Sequence, residues 1–116
     1  MSLKGVLLDK SMSFAIRIVN LYKWLNVEKK EFVMSKQLLR SGTSIGANIR
    51  EAVFAQSKND FIAKMHIALK EASETDYWLE LLSKTEYLTG EQYKSMELDC
   101  KELIRMLVST LKTSKK

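Results

Sequence analysis

An all-α fold, an antiparallel up-down-up-down four-helix bundle, is what this sequence predicts, and three observations predict it. Proline is absent from the 116 residues and only four glycines occur, where average usage would supply roughly six and eight. A β-rich fold or a loop-built site needs more turn residues than that. Apolar residues, 46% of the chain, recur at helical spacing through four successive segments. Only a few residues join those segments, which forces neighbouring helices to run antiparallel. At 13.4 kDa the chain is one domain, residues 1–116, with enough length for a single core.

The first helix is predicted over residues 9–26, with Asp9 or Ser11 as its cap. Phe14, Ile18, Leu21 and Leu25 follow at steps of four, three and four, which is one stripe of an α-helix. Met12, Ala15, Val19, Tyr22 and Trp24 widen that stripe, so this helix is expected to touch more than one neighbour. The charged run Val27-Glu28-Lys29-Lys30-Glu31 is the first connection.

The second helix is predicted over residues 32–56 from Phe32, Val33, Leu38, Leu39, Ile45, Ile49 and Val53. Ser41-Gly42-Thr43-Ser44-Ile45-Gly46 interrupts it with poor helix formers, each glycine costing about 1 kcal/mol relative to alanine. Because Leu38, Ile45, Ile49 and Val53 keep their spacing across the interruption, a continuous but weakened helix is expected. A phosphate-cradling loop fails on residues: Gly42 and Gly46 enclose three residues rather than four and are followed by Ala47-Asn48 rather than Lys-Ser/Thr.

Ser57-Lys58-Asn59-Asp60 opens the third helix, residues 58–86, with a capping-box-like start in which Asp replaces the usual Glu or Gln. Phe61, Met65, Ala68, Leu69, Ala72, Leu79 and Leu82 form its stripe. Thr89 and Gln92 repeat the capping logic for the fourth helix, residues 90–112, whose stripe is Tyr93, Met96, Cys100, Leu103, Leu107 and Leu111.

Several function classes are excluded or disfavoured. No apolar run approaches the ~20 residues of a membrane helix, and Met1–Ser11 lacks the pattern of a signal peptide, so a cytoplasmic location is expected. Cys100 and His66 are each the single residue of their type, which leaves no metal-binding spacing and no Glu-x-x-His pair for a di-iron bundle. Nucleophilic catalysis at Ser41, Thr43, Ser44 or Cys100 lacks a base and an orienting third group. The expectation is a protein without enzymatic activity and without a cofactor. Glu71 and Glu74, one turn apart, could suit an acid/base pair or a hard cation, but an exposed acidic face or pairing with Arg17, Arg40 or Arg50 accounts for them as well.

Charge is unevenly spread. Residues 1–58 hold ten bases and four acids, hence +6, while residues 59–116 hold nine bases and ten acids, giving the overall +5. Lys23, Lys29, Lys30, Lys36, Arg40 and Arg50, with the tail lysines Lys112, Lys115 and Lys116, are therefore the candidate phosphate contacts. Gly42 and Gly46, four apart, allow another backbone to come close, and Ser41, Ser44 and Asn48 can bond across such a contact, with Glu71, Glu74 or Asn48 itself as partners if it is buried. That small-residue face fits a tight crossing within one bundle and a contact between subunits equally.

The segments Arg17–Tyr22, Leu39–Ala52, Asp60–Lys64 and Ala68–Leu79 closely resemble the bacterial four-helix-bundle family named for proteins encoded in intervening sequences of 23S ribosomal RNA genes. The resemblance spans residues 9–112 and is most specific from Arg40 to Glu51; Arg50 and Asp76 sit where other residue types are also common. It implies an antiparallel four-helix bundle assembled as a homopentameric ring, in a family for which no enzymatic activity is established. It also implies similarity in fold to the accessory proteins of diversity-generating retroelements, which bind nucleic acid and a reverse transcriptase through a basic surface. The functional expectation is a pentameric protein that binds RNA or DNA through phosphate. The alternative is a ring that recruits a partner protein, and a third reading is a metal- or small-molecule-binding bundle built on Glu71 and Glu74.

Overall fold

A computed structural model describes residues 2–114, which form α1 (Leu3–Val27), α2 (Met34–Val53), α3 (Lys58–Lys84) and α4 (Gly90–Ser114). Most of the stripe residues read from the sequence form the core, with Phe14, Ile18, Leu25, Leu38, Ile45, Ile49, Met65, Leu79, Leu82, Leu103 and Leu107 all buried, whereas Phe32 and Val33, expected in the second helix, lie exposed before α2 begins. Cross-helix pairs set the directions. Ser11 meets Gly46 and Ile18 lies over Gly42, Arg40 and Ser41 face Glu74 and Thr75 while Glu51 faces Lys64, and Lys10 and Arg17 pair with Glu102 and Asp99. Numbering rises on one helix as it falls on the next, so α2 is antiparallel to α1 and α3, and α4 to α1. Contacts connect α1 to α2, α2 to α3, α3 to α4 and, least extensively, α1 to α4, leaving α1 diagonal to α3. The bundle measures 45 × 22 × 21 Å.

Helix α1 starts earlier than the predicted Asp9. Ser2 is its cap, its hydroxyl accepting the Gly5 N–H at 3.1 Å, and Leu7 is fully buried, seven residues before Phe14 on the same stripe. Asp9 and Ser11 are interior to this helix, and Ser11 Oγ donates to the Leu8 carbonyl. Helix α2 runs unbroken through Ser41–Gly46 and is shorter at both ends than the predicted 32–56. The caps at Ser57 and at Thr89 with Gln92 form as expected.

Gly42 and Gly46 set the approach of α1 to α2. A Cβ on Gly42 would sit 2.7 Å from Ile18 Cγ1, and one on Gly46 would sit 3.2 Å from Ser11 Oγ.

Candidate nucleic-acid interface

The connection from α1 to α2 begins where α1 runs out of apolar positions at Glu28. Lys30 adopts a left-handed conformation, φ 53°, a place glycine usually takes after a helix, and turns the chain back. Glu31 then folds inward. Its carboxylate accepts the N–H groups of Val33 and Met34 on Oε1 at 2.9 and 2.8 Å and that of Ser35 on Oε2 at 2.8 Å, while Ser35 Oγ returns a bond to the Glu31 carbonyl at 2.9 Å. A buried carboxylate thus fills the N-terminus of α2, where orphan amides and the helix dipole favour negative charge. The amides that would otherwise attract a phosphate are already taken.

With Glu31 buried, this end of the bundle presents Lys23, Lys29, Lys30 and Lys36, all exposed. Among the described residues none of the four makes an ion pair. Lys29 Nζ lies 5.5 Å from the centre of the Trp24 ring, a cation–π contact that leaves its charge available. Val27, Phe32 and Val33 are exposed on the same connection, at 63%, 55% and 76%.

The other two candidate bases lie elsewhere. Arg40 bridges Glu71 Oε2 at 3.0 Å and Glu74 Oε2, and its hydrogen bond to Glu74 raises the guanidinium's hold on its proton against the desolvation that opposes it. Trp78 Nε1 donates to the same Glu74 oxygen at 3.1 Å. The Trp78 and Arg40 bonds hold the Glu74 carboxyl below the usual carboxylate range. Arg50 makes no ion pair among the described residues and rims a groove of about 390 Å³ between α1 and α2, lined by Leu8, Met12, Ala15, Thr43 and Ala47. Lys112 lies in the last turn of α4; Lys115 and Lys116 are outside the described residues.

The small-residue face divides as well. Ser41 and Gly42 are buried inside the subunit, where Thr75 Oγ1 donates to Ser41 Oγ at 2.9 Å. Thr75 is the partner that the sequence reading missed; Glu71 and Glu74 serve Arg40 instead. Ser44 and Asn48 bond carbonyls of their own helix, those of Arg40 and Ser44, and Gly46 lines the α1–α2 groove. Cys100 is buried, its thiol donating to the Ala72 carbonyl at 3.4 Å, and burial pushes its pKa up to about 12, which disfavours the thiolate. Among the described residues no three His, Cys, Asp or Glu side chains gather as metal ligands, and no helix is long and apolar enough to cross a membrane.

This is an all-α four-helix-bundle protein with ion pairs and hydrogen bonds linking its helices and with Lys23, Lys29, Lys30 and Lys36 exposed at one end. More particularly, the chain belongs to the 23S rRNA-intervening sequence protein family, whose model matches residues 5–109. It is similar to a protein of unknown function from the S23 ribosomal protein family of Bacteroides thetaiotaomicron VPI-5482, known from a crystal structure at 1.70 Å resolution. The two share 64% identity and superpose with a TM-score of 0.94, over 96% of this chain and 99% of that one. No curated protein matches the chain. The resemblance read from Arg40–Glu51 and its flanking segments is borne out, and neither the family nor the solved relative is described as an enzyme.

Proposed function

We propose that the protein is a non-enzymatic, homo-oligomeric nucleic-acid-binding protein that meets phosphate through the lysine-rich end of its bundle. The observation that carries this reading is the separation of charge at the α1–α2 connection. Lys23, Lys29, Lys30 and Lys36 face solvent without acid partners while Glu31 is turned inward. Four such cations position a polyanion backbone and read little sequence.

Assembly strengthens weak phosphate contacts. Five copies of a +5 chain would carry about +25, and simultaneous contacts raise affinity through effective concentration. A closed ring needs two different faces on each copy. The α1–α2 groove, flanked by the exposed Met12 and Ile16, supports one such face, and the outer face of α3, with Ile67 and Tyr77 exposed, supports the other.

The experiment is fluorescence-anisotropy binding to a structured RNA and to a mixed-sequence DNA duplex across a salt titration. Affinity falls with salt on a log–log slope that counts the phosphates neutralised, and replacing the four lysines by Glu abolishes binding. Absence of binding near physiological salt overturns the reading. The exposed Val27 and Val33 then favour a ring that recruits a partner protein, whose capture survives the same replacement.

A further inference from the structure

We infer that the lysine-rich end takes unpaired nucleotides, in a single strand or a loop, and that Phe32 is the platform on which a base stacks. This rests on the nucleic-acid reading above and names its substrate class. Two observations at the same place carry it. The first is the set of unpaired cations, Lys23, Lys29, Lys30 and Lys36, which track a phosphate backbone without selecting one strand or two. The second is the aromatic ring of Phe32, 55% exposed in a connection where the Glu31 carboxylate accepts three backbone N–H hydrogen bonds.

A duplex offers phosphates, sugars and base edges, but its base faces are closed within the stack. An exposed ring beside cations stacks without first prising a duplex apart where base faces are already open, which is the arrangement of single-strand binders. The α2 N-terminus is a poor phosphate seat, since the Glu31 carboxylate already takes the Val33, Met34 and Ser35 amides, so the backbone is left to the lysines. Phe32 immediately follows Glu31, the residue that fixes the turn. The ring is therefore presented at a set position, which limits the ordering cost of stacking.

The test compares a twelve-nucleotide oligouridylate, the matching oligodeoxythymidylate and a blunt duplex of the same length at equal salt. The wild-type protein is expected to hold the single strands at least about ten-fold more tightly than the duplex. Phe32→Ala is expected to weaken single-strand binding about ten-fold, within the range for loss of one stacked base, and to leave duplex binding unchanged. Phe32→Tyr keeps the ring and restores the preference. Equal, salt-sensitive binding of single strand and duplex, unaltered by Phe32→Ala, overturns the inference while leaving phosphate binding standing. Binding of none of the three ligands overturns both. A fall in solution mass of Phe32→Ala by light scattering makes Phe32 a subunit contact, and wild-type binding to phosphatidylglycerol vesicles that Phe32→Ala alone loses makes it a lipid contact; either result also overturns the inference.

Discussion

The α2–α3 seam and the α1–α2 connection each combine bases, acids and an aromatic residue and dispose of their charge in opposite ways. In the seam, Arg40 joins Glu71 and Glu74, Trp78 adds its N–H to Glu74, and Thr75 meets Ser41 beneath them. Every charge there has a partner from another turn or another helix. In the connection, Glu31 is turned inward to cap α2, the exposed Glu28 makes no ion pair among the described residues, and the cations remain in solvent. A basic residue is thus a candidate ligand contact only after its neighbours across the bundle have been counted, and that count separates Arg40 from Lys30 although both are exposed.

The contrast can be broken most forcefully in the seam. Arg40→Ala leaves the Glu71 carboxylate, whose side chain is 8% exposed, without its cation. We expect a loss of about 3 kcal/mol, the low end for an abandoned buried charge because Arg40 itself is half exposed, read from urea unfolding. Lys36→Ala at the other end changes stability by less than about 0.5 kcal/mol. Next in size, Gly42→Ala forces a methyl against Ile18 at 2.7–2.9 Å and costs about 2 kcal/mol, with part of the loss recovered by Ile18→Val.

A smaller effect sharpens the comparison by changing sign. Lys30→Gly relieves a left-handed backbone at φ 53° and is expected to gain about 1 kcal/mol in thermal unfolding while weakening binding to RNA. Stability and binding that fall together would make Lys30 a structural residue instead. The smallest effect concerns acid. Hydrogen bonds from Trp78 and Arg40 depress the Glu74 carboxyl in the folded state. Its contribution is therefore present above the unfolded-state pKa and is lost as pH falls through the lower folded-state value. Trp78→Phe removes the larger cause, and stability measured from about pH 7 down to about pH 3.5 should decline less steeply, by about 0.5 kcal/mol over that span. An unchanged acid limb would show that the bond adds nothing.

Much of the fold was legible because a helix writes its buried face into a local period. Leu38, Ile45 and Ile49 kept that period through Gly42 and Gly46, and α2 is continuous there. The first turns of α1 were legible too, since Leu7 precedes Phe14 by two turns on the same stripe, but Asp9 and Ser11 resemble caps and drew the boundary inward. The candidate site was only half legible. Lys23, Lys29, Lys30 and Lys36 cluster because they are close in sequence, whereas Arg40 with Glu71, Arg17 with Asp99 and Ser41 with Thr75 are separated by 31, 82 and 34 residues. Such pairings depend on which helix faces which, and no local period encodes it.

Four antiparallel helices return the chain to the side from which it set out. Leu3 and Ser114 begin and end helices α1 and α4 at the pole opposite Lys30, in a bundle 45 Å long. A dye or a surface tether attached near Ser2 or Ser114 would therefore stand most of a bundle length away from the lysines. In an immobilised sample every molecule would hold its basic pole outward, so the geometry that separates attachment from recognition is a property of helix number and direction alone.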